Sequence, residues 1–87
     1  MNKIQTEYHS MPPNTPPGII DLRELEAPEP MERILMECSQ LTAGSHFQAH
    51  LPHVPGPLFP HLKIRGMEWQ VAEQADGSAI LLIRRPA

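Results

Sequence analysis

The 87-residue sequence predicts an α+β fold. The expected form is a two-layer α/β sandwich in the order β-α-β-α-β-β, with one four-stranded mixed sheet and two helices on one face. Three patterns carry this expectation. Apolar side chains recur at helical spacing from Met31 to Leu41. They alternate with polar ones over Ser45–Leu51 and again from Met67 to Ala75. Asp76-Gly77, a two-residue hairpin signal, then joins the second alternating segment to an apolar return segment, Ser78–Arg85.

The elements follow in order. Four of the 11 prolines fall between Pro12 and Pro17. Proline fixes φ and has no N–H, so residues 1–17 read as an extended or disordered arm, and the folded domain spans 18–87. Gly18–Leu22 is a short apolar run ending in a polar connection, consistent with a first strand. Pro28 and Pro30 sit where a helix opens, because the first-turn N–H groups lack intrahelical partners. Met31, Ile34, Leu35, Cys38 and Leu41 then form one helical stripe. Glu29 and Arg33 are four apart in the favourable order, and Glu29 and Glu32 lie near the positive end of the helix dipole. Thr42-Ala43-Gly44 supplies the stop.

In the second strand Phe47, Ala49 and Leu51 face one way, and His46, Gln48 and His50 the other. Pro52–Pro57 is a rigid loop. Leu58–Arg65 is a short helix bounded by Gly66, with Leu58, Leu62 and Phe59 turned inward. Met67, Trp69 and Val71 share one side of the third strand. The last strand is apolar on both faces at its centre, which places it inside the sheet. The sheet face away from the helices is expected to be open.

Composition bounds the function. The length allows one small domain, which buries about 60% of its unfolded surface. Seven basic against ten acidic side chains leave a formal charge of −3. That balance argues against nucleic acid as a partner, which needs a basic face. Lys63, Arg65, Arg84 and Arg85 are too few for that task. No apolar run is long enough to span a membrane. The N-terminus lacks the apolar core of an export signal, so a cytoplasmic location is expected. One cysteine excludes an internal disulfide. The sequence contains no phosphate-binding glycine loop and no nucleophile–His–acid pattern, so it leans away from an enzyme.

The run Ile20-Asp21-Leu22-Arg23-Glu24-Leu25-Glu26-Ala27-Pro28-Glu29-Pro30 resembles the opening of the TusA-like (SirA-like) sulfur carriers, roughly L-D-x-R-G-L-x-C-P-x-P. Leu41-Thr42-Ala43-Gly44 is similar to that family too. The resemblance covers about residues 18–86 and implies the two-layer fold. Two positions depart from it. Glu24 stands at the family's glycine, and Ala27 stands at its reactive cysteine, which in the carriers holds a persulfide. Alanine cannot carry sulfur. With Pro28-x-Pro30 kept, Leu58-Phe59-Pro60-His61-Leu62 and Arg65-Gly66-Met67-Glu68-Trp69 are similar to family 2249 of domains of unknown function.

Three functional readings follow, each beside a plainer one. The first is a non-catalytic protein-interaction or regulatory module linked to sulfur or redox metabolism, with a protein partner. Its surface is Arg23, Glu24, Glu26, Ala27, Pro28, Glu29, Pro30 and Glu32; the plainer alternative is a solvated acidic face. The second is a transition-metal or redox-linked module. His50, His53 and His61 would be the ligands, with His46 nearby. Its alternative is a histidine-rich polar strand and loop, and otherwise no cofactor is expected. The third transfers sulfur through Cys38, whose place on the apolar stripe equally makes it an inert core residue. An open sheet face and an edge strand suit a monomer or a weak dimer.

Overall fold

The computed structural model describes residues 18–87. The expected arm at 1–17 lies outside the described residues. The elements are β1 (Ile19–Asp21), α1 (Glu29–Gln40), β2 (His46–Leu51), α2 (Phe59–Ile64), β3 (Glu68–Glu73) and β4 (Ala79–Arg84). A 3₁₀ turn, Gly56–Leu58, leads into α2. The four strands form one mixed sheet in the order β1-β2-β4-β3. β1 runs parallel to β2, while β2–β4 and β3–β4 are antiparallel. The parallel pair needs a crossover, which α1 supplies.

Strand register sorts the side chains. Ile20, Ala49, Leu81 and Val71 lie in one row across the sheet, flanked by the Phe47–Ile83–Trp69 row. Ala49, Leu51, Leu81 and Ile83 pack in one cluster with Ile34 and Cys38 of α1 and Leu62 of α2. Both helices therefore cover the same face, as the sequence predicts. Each fully buried Leu or Ile contributes about 1.5–3 kcal/mol relative to exposure, and this shared face carries most of them. Met31, Leu35 and Leu41 complete the α1 stripe as half-buried neighbours of the cluster. Phe59 of α2 and Trp69 of β3 stack with centroids 5.5 Å apart, fastening the edge strand to the second helix.

Local details differ from the sequence reading in two places. Asp76-Gly77 does not form a two-residue hairpin. The loop is Ala75-Asp76-Gly77, closed by Gln74 N–H to Ser78 O at 2.7 Å and Gly77 N–H to Gln74 O at 3.0 Å. Gly77 has φ +89°, the positive-φ position that a three-residue loop requires. Second, Arg33 pairs with Glu37 at 3.1 Å, towards the helix C-terminus, and no ion pair joins it to Glu29. Val71 shares a face with Trp69, as the alternation predicts, and is exposed on edge strand β3.

The C-terminal end of α1 is closed from β4. Arg85 Nε donates to Leu41 O at 2.5 Å, and Arg85 Nη2 donates to Cys38 O at 3.0 Å. A cation at this end also complements the helix dipole. No helix among the described residues is long and apolar enough to cross a membrane.

Candidate functional site: an apolar cleft at the first turn of the long helix

The loop between β1 and α1 is built by short backbone bonds. Leu25 N–H donates to Leu22 O at 3.2 Å, and Glu29 N–H donates to Glu26 O at 2.9 Å. Pro28 is the α1 N-cap residue, and no side chain among the described residues caps this end of the helix. The Ala27–Pro28 peptide bond is cis. Pro30 in the first turn removes an N–H that has no intrahelical partner. This loop and first turn form one wall of a cleft of about 430 Å³, with Leu25, Glu26, Ala27, Pro28, Pro30 and Met31. The opposite wall comes from Leu51 at the end of β2 and the proline-rich loop after it, including Pro52, His53, Pro55 and Pro57. Leu58 also lines the cleft and is a core residue as well. Among the described residues, the lining is apolar apart from Glu26 and His53. Prolines stiffen both walls, since their φ is fixed by the ring.

Of the predicted interaction surface, Glu26, Ala27, Pro28 and Pro30 line the cleft. Glu24, Glu29 and Glu32 stand exposed beside it on the same loop and first turns. Arg23 does not join them. Its Nε and Nη2 grip the two carboxylate oxygens of Asp21 at 2.9 and 2.8 Å. That carboxylate, hydrogen-bonded to the guanidinium, holds the Arg23 pKa above its usual value.

The structure does not bring the predicted metal ligands together. His50 is on β2, on the face away from the helices, between Asp21 of β1 and Ile80 of β4 in register. His53 is exposed on the cleft wall, with Nδ1 3.3 Å from Val54 O. His61 is exposed on α2 and His46 at the start of β2. Among the described residues, no group of three or more His, Cys, Asp or Glu side chains is placed to share a metal ion. Alternation already separates His50 from the loop, because a strand turns successive side chains to opposite faces.

Cys38 is fully buried in the helix–sheet interface. Burial raises its thiol pKa, against the opposing pull of Arg65 and Arg85. A thiol in that setting is a poor nucleophile. It lies on the helix side of the core, not at the helix N-terminus where the cleft opens.

One polar arrangement was not read from the sequence. Ser78 Oγ donates to Asp76 Oδ1 at 2.6 Å, and Ser78 N–H donates to the same oxygen at 2.9 Å. Ser78 Oγ also lies 2.9 Å from His50 Nε2. A carboxylate only accepts, so the single hydroxyl proton goes to Asp76 and His50 Nε2–H donates to Ser78. His50 Nδ1 is buried and has no hydrogen-bond partner among the described residues. The Asp-x-Ser spacing signals the Asx-type turn. Nothing local signals that His50, 28 residues away, reaches it.

Residues 19–85 match the family described as uncharacterized conserved protein (DUF2249). The fold is similar to the crystal structure of a SirA-like protein from Desulfitobacterium hafniense. The match has a TM-score of 0.69 at 18% sequence identity and covers 79% of this chain and 97% of that one. No curated protein matches the chain. The SirA-like likeness carries the fold, and the family match spans every strand and both helices. The chain belongs to the DUF2249 family.

Proposed function

We propose that this domain is a non-catalytic docking module connected with sulfur or redox metabolism, and that it recognises a protein partner through the cleft at the first turn of α1. The observation supporting it is the apolar cleft of about 430 Å³ whose wall includes Ala27. Ala27 occupies the position at which the sulfur carriers it resembles keep their reactive cysteine. The wall at Ala27 offers apolar surface and no thiol. Its two polar linings, Glu26 and His53, are on opposite walls and share no hydrogen bond. Such a site gains binding energy by burying a partner's apolar side chain, not by making bonds. Rigid proline walls lower the ordering cost of association.

Affinity capture with the full chain tests this reading. Ala27 is exposed, so Ala27→Trp fills the cleft from its wall without entering the core. The expected outcome is that a protein recovered with the wild type is lost with Ala27→Trp, while both chains melt at similar temperatures. Equal recovery of the same proteins by both would count against the cleft as the docking site.

A further inference from the structure

We propose that the segment seated in this cleft is a basic-flanked apolar peptide: one aliphatic or aromatic side chain enters the cleft, and Lys or Arg residues on its flanks meet the acidic rim. This rests on the docking role proposed above and names the chemistry of the occupant. Four carboxylates, Glu24, Glu26, Glu29 and Glu32, are exposed on the nine residues that carry one wall. None of the four is in an ion pair among the described residues. The two bases closest in sequence are already engaged, Arg23 by Asp21 and Arg33 by Glu37. Among the described residues, no Lys or Arg lines the cleft.

The dipole of α1 favours Glu29 and Glu32 in its first turn, so those two have a local reason to be acidic. Glu24 and Glu26 precede the helix and gain much less from it. Glu26 itself lines the apolar cleft, where a carboxylate is costly to cover with an apolar occupant unless a cation comes with it. An apolar segment with acidic flanks would bring like charges together at the rim. A basic-flanked segment neutralises it and is steered towards it. Charge and apolar surface thus specify different parts of one occupant.

Peptide-display selection on the immobilised full chain tests the proposal. Three baits are used: wild type, Ala27→Trp, and the reversal Glu24→Lys, Glu26→Lys, Glu29→Lys, Glu32→Lys. Peptides enriched on the wild type and lost on Ala27→Trp are cleft-dependent. They are expected to carry an apolar anchor flanked by Lys or Arg. They should bind the charge-reversed bait about tenfold more weakly, as several exposed pairs together allow. Their affinity should fall as salt rises. Should the reversal unfold the chain, the neutral Glu26→Gln, Glu29→Gln, Glu32→Gln variant makes the same comparison with a smaller loss. Cleft-dependent peptides with neutral or acidic flanks, or equal affinity for both charge forms, overturn the proposal and leave the docking site standing. A library yielding no cleft-dependent peptide overturns both.

Discussion

Removing the Ser78 hydroxyl should destabilise the domain mainly through His50. Ser78→Ala deletes the 2.9 Å bond from His50 Nε2 and the 2.6 Å bond to Asp76. Asp76 is exposed, and water replaces the lost donor there. His50 is only 7% exposed and its Nδ1 already has no partner among the described residues. The variant therefore buries an imidazole with both nitrogens unpaired. A buried polar group left without its partner costs about 1–3 kcal/mol, so about 2 kcal/mol is expected. For a domain of this length that is a fall in Tm of roughly 8–16 °C. In a His50→Leu background the same serine substitution should cost less than about 0.5 kcal/mol, because no orphaned ring remains. His50→Leu alone should be close to neutral, since it removes the unpaired Nδ1 along with the bond. Urea unfolding of the four chains, followed by circular dichroism, gives the cycle. Equal costs for Ser78→Ala in both backgrounds would refute the assignment of the hydroxyl's role to His50.

Three further outcomes follow. The Ser78 hydroxyl, and then its backbone N–H, hold the Asp76 carboxyl below the usual aspartate value. A depressed folded-state value adds stability that is present above the unfolded pKa and is lost as pH falls through the folded one. A carboxyl-carbon NMR titration should therefore place Asp76 below ordinary aspartates, with Ser78→Ala moving it upward; an unmoved midpoint contradicts the hydroxyl as main cause. Cys38, buried and with a raised thiol pKa, should resist iodoacetamide in the native chain and react fully in urea, whereas the thiol of an Ala27→Cys variant should react quickly; comparable native rates at the two positions would show that the core exposes Cys38. Arg85→Met removes two side-chain donors from the last turn of α1 and should cost about 1.5–3 kcal/mol; a change within measurement error would mean that water caps the helix equally well.

Period carried most of what could be read in advance. The i, i+3, i+4, i+7 stripe from Met31 to Cys38 specifies the buried side of α1, because helical rotation brings those positions to one face whatever they touch. Alternation in His46–Leu51 specifies which side chains of β2 meet the helices. Gly and Pro placed the connections, although Asp76-Gly77 pointed to a two-residue loop where the structure has three residues, since the same pair serves both hairpins. Ala27 could be placed before the helix, and so could the lack of a thiol there.

Juxtapositions between distant segments were not legible. The cleft exists because loop 52–57 comes to stand opposite residues 25–31, and nothing in either segment encodes that approach. The histidines illustrate the same limit. Their sequence proximity suggested a shared ion, yet strand geometry directs His50 to the other sheet face and leaves His53 on the cleft wall. The amino-acid order by itself determined the elements, their inward faces and the absence of a thiol at position 27, because these depend on local backbone geometry and residue type. Only the tertiary structure decided that His50 meets Ser78, that Arg85 closes α1 and that two proline-bearing walls enclose an apolar cleft. Those contacts join residues far apart in the chain, and packing of the whole core sets their distances.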